Sequence, residues 1–296
     1  MKRCALIIGL LMMTIGCGPG MMYPHLDWLI PRYVSDYISL DSEQKSMLQE
    51  RLARQIDWHC RTQLAGYSGF LRALEKDLAQ PQRPVTYQQL DAHYIHLQQY
   101  WNALIRQVAP DAADILATAT DDQIEELYSN LDKRNEKFRA EYIAQPSEKL
   151  IAQRTERMIK RLQYWLSRLT TDQKQAVAQW SRQLEPTATD RLHNREKFQA
   201  EVRRLLVRRN TGPAFKQRIV AILVHPEQLQ SAAYRQKIDH NTVATLKLMA
   251  AILGLRTPAQ QSYLSKRIAT LAEEFDRLSC VPEATGTVGP NSGKGG

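Results

Sequence analysis

From Asp41 to Leu278 the apolar residues of this chain recur every three or four positions, and that period decides the fold class. Ile56, Cys60, Leu64, Tyr67, Leu71, Leu74 and Leu78 fall on one face of a helix. Ile151, Thr155, Met158, Leu162, Trp165 and Leu169 repeat the pattern, as do Leu264, Ile268, Leu271, Phe275 and Leu278. A half-buried strand would alternate with a period of two, and no β-branched run does so. Hairpin turns of the Asn-Gly or Asp-Gly type are missing too. The expected fold is all-α, a multi-helix bundle or array of about nine or ten helices.

Prolines divide the helices, because proline lacks the N–H that continues the ladder. Pro81 and Pro84 end the long first pattern, and Pro110, Pro146, Pro186, Gly212-Pro213 and Pro226 mark later joints. The spans read as 27–38, 41–80, 86–108, 120–143, 147–168, 170–184, 187–210, 213–224, 226–254 and 257–279. Short connections make neighbours in sequence antiparallel neighbours in space. One helical domain over 26–280 is expected; if it has two subdomains, the seam lies near Pro146. Thr242–Leu255 is apolar almost all round apart from Lys247, as suits a central or interface helix.

A small polar box recurs where these helices should start. Asp41 with Gln44, Thr120 with Gln123, Thr170 with Gln173 and Thr257 with Gln260 share one spacing, and Thr86 with Gln89 is a fifth case. This is the spacing of a capping box: the first side chain accepts from the backbone N–H three residues on, and the Gln reaches back to the first residue's N–H. Apolar Leu48, Leu127, Val177 and Leu264 follow four residues after the Gln. A second similarity links R-N-E-K-F-R-A-E (Arg134–Glu141) to N-R-E-K-F-Q-A-E (Asn194–Glu201). A duplicated helical unit and a chance likeness of charged helices both account for it.

The N-terminus bears on location. Met1-Lys2-Arg3 is basic, Cys4–Ile15 is an apolar run, and Gly16-Cys17 follows. That order is a secretory signal, and the run falls short of the roughly 20 residues that span a bilayer. Ile15-Gly16-Cys17 resembles the lipobox of bacterial lipoproteins, which implies a signal peptide 1–16, cleavage after Gly16 and lipid on Cys17. An ordinary signal cut elsewhere is the alternative. Gly18, where an Asp would retain a lipoprotein at the inner membrane, implies the outer membrane. Residues 17–25 then read as a lipidated tether, and the glycine-rich 281–296 as a disordered tail.

Removing Lys2 and Arg3 lowers the net charge from +9 to +7. Glu201–Asn210, E-V-R-R-L-L-V-R-R-N, is the densest basic run, suited to anionic lipid headgroups or acidic partners, or simply to a solvated face. The charge admits nucleic acid, but the compartment does not. Cys60 and Cys280 remain in an oxidising compartment. They either bridge, joining the start of the body to its end, or Cys60 packs as a small hydrophobe on its apolar stripe.

Catalytic motifs are missing: no H-E-x-x-H, no G-x-S-x-G, no phosphate loop. His93 and His96 are weak metal candidates, three residues apart near Asp91, and read more simply as surface histidines. Trp58-His59 is a pocket candidate that reads more simply as core. No cofactor is implied.

Several stretches together resemble a family of uncharacterised bacterial lipoproteins carrying a domain of unknown function. They are L-D-W-L-I-P-R-Y-V-S-D-Y-I-S-L-D-S-E-Q-K (Leu26–Lys45), W-H-C-R-T-Q-L (Trp58–Leu64), L-D-K-R-N-E-K-F-R-A-E-Y (Leu131–Tyr142) and R-L-Q-Y-W-L-S-R-L-T-T-D-Q (Arg161–Gln173), with Trp180. The resemblance implies an envelope location and a helical fold, with no activity. L-T-T-D-Q at Leu169–Gln173 is also similar to the L-T-x-x-Q box of small periplasmic stress chaperones of the Spy and CpxP type, which implies a holdase. The expected function is a lipid-anchored, periplasm-facing, non-enzymatic binding or scaffold protein with envelope partners. A holdase and an enzyme on cell-wall or lipid substrates are the alternatives.

Overall fold

The computed structural model describes residues 18–79 and 84–280. Gly16, Cys17, the signal segment and the expected tail 281–296 lie outside the described residues. Among the described residues there is no strand. A turn of helix at Pro19–Met22 and a 3-10 turn at Tyr23–His25 lead into α1 (Leu26–Ser35). Then follow α2 (Ser42–Thr62), α3 (Leu64–Leu78), α4 (Tyr87–Ala117), α5 (Asp121–Tyr142) and α6 (Ser147–Leu166). The chain closes with α7 (Thr171–Gln183), α8 (Ala188–Leu206), α9 (Pro213–Val224), α10 (Ala232–Gly254) and α11 (Pro258–Leu278). The all-α expectation holds, with ten long helices if α2 and α3 are taken as one bent helix.

Several expected boundaries move: the helices expected to end at 38 and 210 stop at Ser35 and Leu206, and the one expected from 226 starts at Ala232, after a 3-10 turn at Pro226–Leu229. The span 41–80 bends at Gln63 (φ −111°), just after Thr62 turns its hydroxyl back to the Trp58 carbonyl at 2.7 Å. Such back-bonding from a threonine bends helices. Pro110, expected to end a helix, lies inside α4, which runs on to Ala117. A mid-helix proline costs about 3 kcal/mol. The burial around it offsets that cost: Ala109 and Ala113 are buried, and α9 packs along this half of α4 through Phe215 and Ile219.

The prolonged α4 reaches two cores. The larger one gathers Cys60, Leu64, Phe70 and Leu71 from α2 and α3, Met158 and Leu162 from α6, Val177 and Trp180 from α7, and Ile252, Leu264 and Ile268 from α10 and α11. The smaller one joins Ala113, Ile124, Tyr128, Leu205, Leu206, Phe215 and Ile219. Both draw on segments before and after Pro146, so the cores do not divide the chain there. α5 and α8 run antiparallel, with Asp121 on Arg209, Glu125 on Arg203 and Arg139 on Glu196. The similar stretches 134–141 and 194–201 therefore face each other, and Asn135 donates to Gln199 Oε1 at 2.8 Å.

All five boxes form both of their hydrogen bonds, at Asp41, Thr86, Thr120, Thr170 and Thr257. Four of them also meet in pairs. Gln173 Nε2 donates to Gln260 Oε1 and Gln260 Nε2 to Gln173 Oε1, both at 2.9 Å. Gln44 and Gln123 make the same reciprocal pair at 2.9 and 2.7 Å. Each amide then donates its second hydrogen to a carbonyl two residues ahead of the opposite cap: Ser39, Thr118, Arg168 and Leu255. Each pair thus locks two helix N-termini together, α2 with α5 and α7 with α11. Gln173 is 0% exposed, so its amide finds no water to replace a lost partner.

α2 and the segment just after α11 are joined as well. Cys60 and Cys280 form a disulfide with Cα atoms 5.2 Å apart. Gly18–His25, expected as a tether, is instead helical and packed. Tyr23 reaches His59 Nδ1 at 3.0 Å, and Tyr67 reaches His59 Nε2 at 3.1 Å. Burial pushes both tyrosines up to about 12 and holds the His59 imidazole below its usual value. His59 is thus a neutral bridge inside the body.

Two outcomes follow for stability. Gln173→Leu and Gln260→Leu each strand a buried amide, at a cost of about 1–3 kcal/mol. In urea denaturation the double variant should cost less than the sum by about 1 kcal/mol or more; strict additivity would deny the pairing. Acidification is the second. The unfolded chain protonates His59 first, near pH 6.5. Stability is therefore full above that pH and falls as pH drops toward the lowered folded value. The melting temperature should fall from about pH 7 to about pH 5, and His59→Gln should flatten that slope; an equal slope in both proteins contradicts it.

Candidate functional site

Not every helix begins with such a box, and two of those without one begin side by side. α6 starts at Pro146 and α8 at Thr187, and neither has a side-chain cap. Both open onto one cleft of about 520 Å³. The end of α5 supplies Phe138 and Tyr142, α6 supplies Ser147, Leu150, Arg154 and Arg157, and residues 184–191 supply Thr187, Thr189 and Arg191. α10 closes the far side with Ile238, Asn241, Thr242 and Thr245. Asn241 also fixes the loop before α8, exchanging two 2.9 Å hydrogen bonds with the Glu185 backbone. Trp180 on α7 donates to Thr245 behind the cleft.

The charges here are of one sign. No Asp or Glu lines the cleft. Asp190, next to Arg191 in sequence, is occupied by Lys237 at 2.8 Å. The arginines rest on aromatic rings instead. The Arg157 guanidinium lies 5.7 Å over Tyr142, and Arg191 and Arg195 lie 5.5 and 4.6 Å over Phe138. A ring face attracts a guanidinium but leaves its in-plane N–H donors free. Arg154 Nε is buried with no hydrogen-bond partner. Burial, with Arg157 beside it, pulls the Arg154 guanidinium below its usual value; Arg161, about two turns along the same face, is lowered for the same two reasons. Burial, then Arg191, lowers Arg195.

An anion in the cleft would meet three guanidiniums and two uncapped helix N-termini, whose free N–H groups also favour negative charge. Leu150, Leu184 and Ile238 give the same cleft an apolar side. Its volume lies in the range of roughly 300–1,000 Å³ usual for small-molecule sites. The arrangement suits a ligand with an anionic group and an apolar portion.

The residues singled out in the sequence lie elsewhere. The basic run 201–210 is largely paired: Arg203 with Glu125, Arg204 with Glu201, and Arg209 with Asp121. His93 bonds Asp77 at 2.9 Å and His96 stacks on Tyr100, while both rings meet the Phe70 ring. Among the described residues no group of three or more His, Cys, Asp or Glu is placed to hold a metal ion. The box glutamines other than Gln89 are turned into each other. The cleft itself escaped sequence reasoning. Its signal was the 3-4 spacing of Arg154, Arg157 and Arg161, with Arg191 and Arg195 at i, i+4.

A sequence model for a family of unknown function, DUF6279, matches residues 36–235. That is more than half of the chain, and the chain belongs to this family. The matched region includes Arg154, Arg157 and Arg191. No curated protein and no solved structure matches the chain.

Proposed function

We propose, for this member of the DUF6279 family, a binding role in the bacterial envelope: a lipid-anchored, periplasm-facing, non-enzymatic protein that holds an anionic envelope component in the arginine cleft. One observation carries the reading. Three guanidiniums line a ligand-sized cavity that no Asp or Glu lines, and none of the three is ion-paired among the described residues, whereas arginines such as Arg203, Arg204 and Arg209 are each held by a carboxylate. A buried donor without a partner, as at Arg154 Nε, costs stability, and that cost supports reading the cleft as a site. The lipobox-like Ile15-Gly16-Cys17 supports the anchored, envelope half of the reading.

A short-chain lipid titration tests it. Dihexanoyl-phosphatidylglycerol, added below its micelle concentration, should bind with a saturating calorimetric signal, and the phosphatidylcholine of equal length should bind more weakly. Arg154→Met and Arg191→Met should each weaken the phosphatidylglycerol by about tenfold or more, the worth of one charged hydrogen bond. Equal binding of the two lipids, or arginine variants that bind like the parent, would remove the cleft from the function.

A further inference from the structure

The N-terminal segment is unusual in what it leaves in water. Among the described residues, four of the eight exposed large apolar or aromatic side chains, Met21, Met22, Trp28 and Tyr33, fall within residues 21–33. Met21 is 62% exposed and Trp28 65%. A soluble surface scatters such residues singly; a cluster marks a contact. Met21, His25, Trp28 and Arg32 are spaced four, three and four apart along nearly continuous helical turns, and all four are exposed. They form one stripe in which Met21 and Trp28 are apolar and Arg32 carries a positive charge.

The opposite side of the segment is fastened down. Tyr23 is bonded to His59 and to the Ile56 carbonyl. Gly18 lies so close to α11 that a Cβ there would sit 2.7 Å from Glu274 Oε2. The stripe is therefore held on a rigid body. It also begins four residues after Cys17, at most about 14 Å of extended chain.

We infer that this stripe is a membrane-seating face: it lies in the headgroup region beside the lipid on Cys17 and fixes how the body stands on the bilayer. The inference rests on the reading of Cys17 as the lipid-bearing residue. That position supplies the occupant, because whatever the lipid enters must come within reach of Met21 and Trp28. The chemistry agrees. Tryptophan favours the interface, methionine adapts to disordered chains, and arginine keeps its stem in apolar surroundings and its head among phosphates. A single lipid anchor would leave the body free to tumble, whereas anchor and face together hold two points.

The test uses the mature chain from Cys17, whose other two cysteines are bridged. Its Cys17 thiol is coupled to a maleimide lipid in vesicles of phosphatidylethanolamine and phosphatidylglycerol, with and without brominated phosphatidylcholine. The emission that Trp28→Phe removes should be quenched by bromine, and the emission of the remaining tryptophans should not. Unquenched Trp28 emission overturns the inference. So does a concentration-dependent blue shift of Trp28 in the lipid-free chain, which would give the stripe to a second copy. The chemical lipid replaces the natural one, so this result is independent of lipidation in cells. That is read separately: a Cys17→Ala variant that still fractionates with membranes sinks the lipoprotein reading and leaves the vesicle result standing.

Discussion

A primary amide has two donors and two acceptor sites, and in this protein buried amides join the helices. Gln173 accepts from its own cap and from Gln260, and donates to Gln260 and to the Leu255 and Ile252 carbonyls. A capping box ordinarily serves one helix. Here the glutamine that closes one box also closes another far away in sequence, so each helix start fixes the position of a distant one. Satisfying these groups away from water requires both N-termini to meet at one distance and orientation. The apolar residues a turn further on, Val177 and Leu264, then enter the larger core together.

Much of this was legible in the sequence, and the limits have physical causes. Periodicity and boxes place most helix starts to within a residue or two, because a cap is a local interaction. The pairing of boxes was not legible, since nothing in T-T-D-Q specifies which distant box it meets. Pro110 misled for a similar reason: a local penalty was outweighed by Phe215 and Ile219, about a hundred residues away in sequence. The arginines show the same divide. The dense run 201–210 looked available and is largely neutralised across the α5–α8 contact, while Arg154 and Arg191 come together only in the folded chain.

The cleft and the N-terminal stripe both retain groups that folding alone would not select. Arg154 keeps a buried donor without a partner, and Trp28 leaves two-thirds of its surface in water. Each would be relieved by the occupant proposed for it: an anion in the cleft, and lipid headgroups along the stripe. Tyr23, through His59, holds the N-terminal segment to the same body that carries the cleft, and the disulfide ties Cys60 near the end of α2 to Cys280 just after α11. The proposed seating on the membrane and the proposed binding in the cleft therefore belong to one body.

Native mass spectrometry of the protein isolated from the cells that make it addresses the proposed binding role most directly. The parent chain should carry one anionic species of defined mass, and Arg154→Met should emerge without it. A parent chain that is bare, or a variant that keeps the same adduct, would contradict an anion-binding cleft.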